Sequence, residues 1–224
     1  MRSPPALHPS IPPQTMPRAT DILGLRARLP RRAWPVVELW LRRNPVQVRI
    51  SAPRTTKLGD YRVATRTQGH RISVNGDLNK YAFLVVLVHE FAHYATFQKF
   101  HRHEPHGTEW KAEYKRLMRP FLSREVFPAD VLRVLALHLD DAPSSSCTDH
   151  GLMRVLRRYD HAPRPFLEEL EENTVFGFND KIFVKGKQLR KRFRCSCLNN
   201  RRVYLIDPTA EVQLEHPLVV RRAS

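Results

Sequence analysis

Cysteine is scarce in this chain of 224 residues: only Cys147, Cys195 and Cys197 occur. An odd number with one close pair makes no disulfide framework, which points to a reduced compartment. Cys195-Ser196-Cys197 leaves a single residue between the sulfurs and has no second pair downstream, and Cys147 is far off in sequence. A four-cysteine zinc site is therefore not available, and two thiols in a metal-free β-strand are expected. Long uninterrupted apolar runs are also missing. The best candidate, Tyr81 to Phe97, is broken by His, Glu and His, which excludes a bilayer span. The amino terminus lacks the apolar core of a signal peptide, and its prolines would spoil the amphipathic helix of a mitochondrial presequence, so a cytoplasmic location is expected. Acidic residues are outnumbered, 22 against 38 basic, for a net charge of +16. That excess favours anionic partners such as nucleic acid, acidic protein or anionic lipid; the alternative is a solvated Arg-rich surface.

What the chain does have is His89-Glu90-Phe91-Ala92-His93, an H-E-x-x-H run. Residues four apart on an α-helix differ by about 40° of rotation and roughly 6 Å of rise, so His89 and His93 project from one face and can chelate one ion. Glu90 falls on the flank of that face. It is poorly placed as a ligand and well placed to take a proton from an activated water. The surrounding YAFLVVLVHEFAHYATF is apolar almost all the way round, the pattern of a helix inside a core. Imidazoles and a carboxylate there need partners or a metal, because an unpaired buried charge costs several kcal/mol. The competing explanation is a pair of core histidines hydrogen-bonded to backbone.

A hydrolytic zinc site takes three protein ligands and leaves the fourth position open. His101 lies about 12 Å along the axis from His93 if the helix continues, so it could bind only after a sharp reversal. His106 is better placed. Gly107 permits a tight turn, and Thr108 is a plausible N-cap for a helix through EWKAEYKRLM that stops before Pro120. His101 and His103 are expected in a solvated basic loop. Glu104 and Glu109 are alternative acidic ligands, although Glu109 reads better as a first-turn residue favoured by the helix dipole.

Four stretches, TKLGDYR (Thr56 to Arg62), RISVNGDLN (Arg71 to Asn79), LVVLVHEFAHY and PHGTEWK (Pro105 to Lys111), resemble the SprT-like family of zinc metallopeptidases, the Spartan-related proteins. The resemblance covers roughly Leu29 to Leu122. It implies one Zn2+ ion held by His89, His93 and His106, with Glu90 as catalytic base. It also implies an α+β fold: a minimal zincin-type metalloprotease domain, its H-E-x-x-H helix packed on a small β-sheet with further helices. Many members add a C-terminal zinc ribbon, and here such a unit would lack its metal ligands. The metzincin spacing fails, since it requires Gly at Thr96 and His at Lys99.

Along the chain, residues 1 to 20 read as a disordered Pro-rich arm, 21 to 165 as the metalloprotease domain, and 166 to 224 as a basic C-terminal β unit. WPVVELWLRR predicts a short helix ended by Asn44-Pro45. Val46 to Ser51, Lys57 to Ala64 and His70 to Val74 alternate as strands. Asn79 is positioned to cap the H-E-x-x-H helix, Pro128 opens a helix through ADVLRVLALHL, and Ser146 or Thr148 opens one through LMRVLRRYD. His138 and His150 read as surface or cap groups.

Thr174 to Val184 and Gln188 to Ile206 are rich in Phe, Val, Ile and Tyr, with Asn179-Asp180 and Lys185-Gly186 as turn signals, so a small antiparallel unit is predicted. Lys185, Lys187, Arg190, Lys191, Arg192 and Arg194 are the candidate phosphate contacts, flanked by Lys181, Arg201 and Arg202, with Phe183, Phe193 and Tyr204 available to stack on bases if exposed. Two functions follow from different classes. One is a zinc metalloendopeptidase acting on protein near nucleic acid, for which the likeness to Spartan implies protein attached to DNA as substrate. The other is a nucleic-acid-binding protein with a structural or inactive metal site, which would have no need of Glu90.

Overall fold

Periodicity accounts for most of the architecture. The structure, a computed structural model, describes residues 21–54, 57–140 and 149–214. The expected arm over residues 1–20, Cys147, and the caps predicted at Ser146 and Thr148 lie outside the described residues. The protein is α+β, with a small mixed sheet and helices followed by a five-stranded antiparallel sheet.

Helix α1 (Ile22–Ala27) and helix α2 (Trp34–Arg43) lead into strand β1 (Val46–Ser51). Strand β2 (Gly59–Arg62) and strand β3 (His70–Asn75) complete the first sheet in the order β1-β3-β2, β1 parallel and β2 antiparallel to β3. Val46, Val48, Ile72 and Val74 are buried on one face, as alternate residues of half-buried strands should be. That face packs on helix α3 (Lys80–Phe100), 21 residues long.

α3 is the spine of the larger core because its apolar residues occur on every side. Phe83, Leu84 and Leu87 are almost completely buried, and each contributes about 1.5–3 kcal/mol by leaving water. Its start is fixed by Asn79, whose Oδ1 accepts from the backbone N–H groups of Tyr81 (3.0 Å) and Ala82 (3.1 Å). The Asn79 amide also donates to the Leu156 carbonyl (2.9 Å) and to Asp160 (2.6 Å). The helix ends at His101, which takes a positive φ of 47° and returns its N–H to the Phe97 carbonyl at 3.0 Å.

Helix α4 (Thr108–Met118), helix α5 (Ala129–Asp140) and helix α6 (His150–Arg157) close the core. Thr108 is the first helical residue of α4 and Gly107 takes the cap position without a side-chain bond, so the start falls one residue earlier than predicted. Asp149 caps α6 through a bond from the Leu152 N–H at 2.9 Å. His138 is buried, with 3% of its surface exposed, and its Nδ1 lies 2.7 Å from Asp149. The expectation of a surface or cap group fails there because residues 131, 135 and 138 share the inner stripe of α5. His150 opens α6 and lies 3.2 Å from Asp207.

The second sheet comprises β4 (Val175–Phe178), β5 (Lys181–Leu189), β6 (Arg192–Cys197), β7 (Val203–Ile206) and β8 (Gln213–Leu214), in the order β7-β6-β5-β4-β8. It has its own core, including Phe176, Phe183, Cys195, Cys197 and Val212. Asn179 and Asp180 make the β4–β5 turn with φ 49° and 59°, the positive pair a tight hairpin requires. Lys185-Gly186 does not turn. Both lie inside β5, beside an irregularity in the pairing, and the chain reverses at Arg190-Lys191 with Arg190 at φ 52°. A side chain at Gly186 would meet the Arg194 carbonyl at 2.5 Å, so this glycine serves close approach between strands. Arg154 makes a two-pronged bond to Glu168 at 2.7 Å and Arg157 lies over Phe166 at 3.9 Å, linking α6 to the segment that enters the second sheet.

Candidate metal centre

His89 and His93 lie one turn apart on α3 and face α4, while His106 comes from the loop between the helices. Their ligand atoms all fall within 4.8 Å of one another. Nε2 of His89 and Nε2 of His106 are 3.3 Å apart. Two nitrogens each about 2.0–2.1 Å from one tetrahedral ion stand about 3.3 Å apart, so this pair already has the spacing such an ion demands.

His106 reaches the other two through its backbone. Its φ is 61°, an uncommon conformation for a residue with a Cβ, and with His101 it folds α4 back over α3. The tight turn assigned to Gly107 therefore belongs to His106. Gly107 is extended, and a Cβ there would meet the Glu104 Cβ and carbonyl at 3.1 Å. Strain of this kind costs about 1–3 kcal/mol and persists where its surroundings over-determine it.

Trp110 supplies those surroundings. It is fully buried, one turn after His106, with its ring centroid 4.7 Å from His89, 4.7 Å from His106 and 5.3 Å from His93. Tyr114 stacks on its far side at 5.0 Å. The indole forms an apolar floor under three imidazoles, a role signalled only by the four-residue spacing in H-G-T-E-W.

Electrostatics keep the rings neutral. Burial, then the neighbouring His93, His106 and His138, pushes His89 down to about 2. Burial, then His106 and His103, pushes His93 down to about 3, and burial lowers His106 as well. At neutral pH all three offer lone pairs rather than protons. His89 Nδ1 and Trp110 Nε1 are buried without a hydrogen-bond partner, so no acceptor orients the His89 ring among the described residues. His101 is exposed, as expected of a basic loop, whereas His103 is half buried and its Nδ1 is covered. Glu104 and Glu109 are exposed.

Glu90 turns to the β2 side of α3. It is 8% exposed and accepts a bond from the Tyr61 backbone N–H. Burial and, secondarily, Asp60 push its carboxyl up to about 8, while Lys57, Arg54 and the Tyr61 N–H pull the other way. Gly59 makes this close approach feasible. A Cβ at that position would stand 2.5 Å from Glu90 Oε1 and 2.6 Å from Val86 Cγ1, so only glycine lets β2 lie on the helix at this point. No local pattern in TKLGDYR marks it.

The six basic candidates of the second sheet divide. Lys187, Arg190, Lys191, Arg192 and Arg194 are exposed along the β5–β6 hairpin. Lys185 is buried, 4% exposed, and donates to the carbonyls of Glu168 (3.4 Å) and Leu170, with its ammonium 4.1 Å from the Phe193 ring. It cannot reach a phosphate from there. Phe183 is buried against Phe176 and Tyr204, and Phe193 and Tyr204 are half buried on the same inner side, so these aromatics pack rather than stack on bases. Cys195 and Cys197 also face this core. No helix among the described residues is long and apolar enough to cross a membrane.

No curated protein and no solved structure matches the chain. A family model does, and it spans β1 to β3, the H-E-x-x-H helix, His106 and Trp110: residues 37–131 are a domain of the SprT-like family.

Proposed function

We propose that the chain is a zinc-dependent metalloendopeptidase in which His89, His93 and His106 hold one Zn2+ ion and Glu90 moves the proton of the attacking water. The observation that carries this reading is the convergence of three neutral imidazoles from two elements within 4.8 Å, with a buried carboxyl on the residue following the first of them. Membership of the SprT-like family, whose members are grouped as metallopeptidases, supports it.

Three neutral ligands suit a divalent cation because they leave its charge undiminished. Such an ion supplies Lewis acidity and lowers the pKa of its water to about 7. The chain's own contribution is a base. Burial raises the Glu90 carboxyl above the usual carboxylate range, so it accepts a proton more readily than an exposed glutamate and can return it to a departing amine. The Tyr61 N–H and Gly59 fix where that carboxyl sits. A structural site has no use for a base held in this way.

Five exposed cations on the β5–β6 hairpin give the peptidase a means of approaching protein on or near nucleic acid through backbone phosphates. The test is to compare wild type with Glu90→Gln for zinc content and for cleavage of a peptide, with and without DNA. Retained zinc with activity lowered by about 10²–10⁴-fold is expected. No cleavage by either protein under any condition would leave a nucleic-acid-binding protein with a structural metal site.

A further inference from the structure

Strand alternation gives the first sheet a second face, turned away from α3, and it is strongly basic. Arg49 of β1, Ser73 of β3 and Asp60 of β2 share one row; Arg71 of β3 and Arg62 of β2 share the next. These residues border a shallow pocket of about 190 Å³. Arg54, from the loop after β1, is fixed above it by bonds to Asn75 Oδ1 (2.8 Å) and Ser73 Oγ (3.1 Å). Asp60 is already engaged by Lys57 at 2.6 Å and Arg62 at 2.8 Å. Arg49 and Arg71 have no acidic partner among the described residues.

This arrangement opposes stability. Arg62 and Arg71 are direct cross-strand partners, and like charges placed directly opposite destabilise a sheet. Five cations around one carboxylate leave a large unmatched charge on a rigid surface. An anion relieves it, and the guanidinium fork matches phosphate oxygens two at a time.

We infer that this outer sheet face binds the sugar-phosphate backbone of nucleic acid. Its chemistry fits that ligand better than a membrane, because none of the exposed large apolar side chains lies on β1, β2 or β3. The outward residues of these strands include no aromatic ring, so the contact is to phosphates and indifferent to base sequence. The site is distinct from the β5–β6 hairpin and belongs to the family-matched domain. It shares β2 with the opposite face, where Gly59 and the Tyr61 N–H touch Glu90. The inference does not depend on peptidase activity.

The experiment is fluorescence anisotropy of a short labelled DNA duplex with the full chain across a salt series from about 50 to 200 mM, the range over which phosphate contacts are read. An Arg49→Ala/Arg71→Ala variant is expected to weaken binding at least tenfold at the low-salt end and to lower the slope of log K against log salt by about 1.8, at about 0.9 per phosphate contact. Arg49→Lys/Arg71→Lys, which keeps the charge, should retain the wild-type slope. A wild-type affinity and slope for the alanine pair overturns the inference. Loss of binding to phosphatidylserine vesicles or inorganic phosphate with DNA binding intact also overturns it, since the face would then serve another anion. Should the alanine pair melt at a lower temperature than wild type, Arg49→Gln/Arg71→Gln, which keeps most of each stem and removes the charge, decides: a slope lowered by about 1.8 upholds the inference and a wild-type slope overturns it.

Discussion

Both cores of this protein bury polar side chains, and the two do so in opposite ways. In the second sheet, Lys185 enters an apolar interior and finds the Glu168 and Leu170 carbonyls and the face of Phe193. Its donors are used, and the arrangement is finished. In the first core, His89, His93 and His106 point at one another with no acid among them, and His89 Nδ1 and Trp110 Nε1 have no partner. Buried polar groups normally face a donor or an acceptor of opposite kind, so three neutral imidazoles that converge on one another mark a place where a cation can bind. Burial alone does not separate a site from a structural pair. What the donors and acceptors face does.

The comparison breaks most visibly at Trp110. Trp110→Ala removes the floor on which all three imidazoles rest, and truncating a fully buried tryptophan costs about 3–5 kcal/mol. Urea denaturation should show that loss, and zinc content should fall with it, because His106 then has nothing to hold its left-handed backbone in place. Full zinc stoichiometry in a folded Trp110→Ala protein would mean that the indole is ordinary core.

Lys185→Met is the matching change in the other region. Methionine keeps the stem over Phe193 but leaves two carbonyls without their donor, a loss of about 1–3 kcal/mol. Zinc content and peptide cleavage should be unchanged, and DNA binding should keep its salt slope because this ammonium faces inward. A reduced slope would restore Lys185 to the phosphate surface.

Much of this contrast is legible in the sequence. The H-E-x-x-H helix was legible because seventeen residues are apolar on every side except at His, Glu and His, and Asn79 stands where a cap belongs. His106 was reachable because a helix signal follows it at once. The strands followed from alternation. Other features depend on partners far off in sequence. Lys185 sits in a basic run that looks solvent-facing, although its two-residue spacing from Phe183 puts both on one face; the carbonyls that accept it come from residues 168 and 170. His138 follows Val131 and Leu135 at core spacing, but its Asp149 partner belongs to another helix. Gly59 is required by the proximity of Glu90, and no local pattern announces a close approach between two elements.

The smallest effect tests whether the unsatisfied groups of the first core act together. With any bound metal removed by a chelator, His89 and His93 stay neutral in the fold down to about 2 and 3, whereas the unfolded chain protonates them below 6.5. Acidification therefore favours unfolding, and from pH 6.5 to 5.5 the two rings together remove about 2 kcal/mol. His106 is shifted the same way and adds to the loss. Glu90 runs against them. Its carboxyl keeps a proton in the fold up to about 8, while the unfolded chain releases it above 4.5, so the same acidification returns about 1 kcal/mol. Metal-free wild type should then lose only about 1 kcal/mol over that interval, and Glu90→Gln, which has no carboxyl to offset the imidazoles, about 2 kcal/mol. Denaturant melts of both proteins at the two pH values measure the difference. Equal pH dependence would show that Glu90 is not buried in solution, and the base of the proposed peptidase would have to be sought elsewhere.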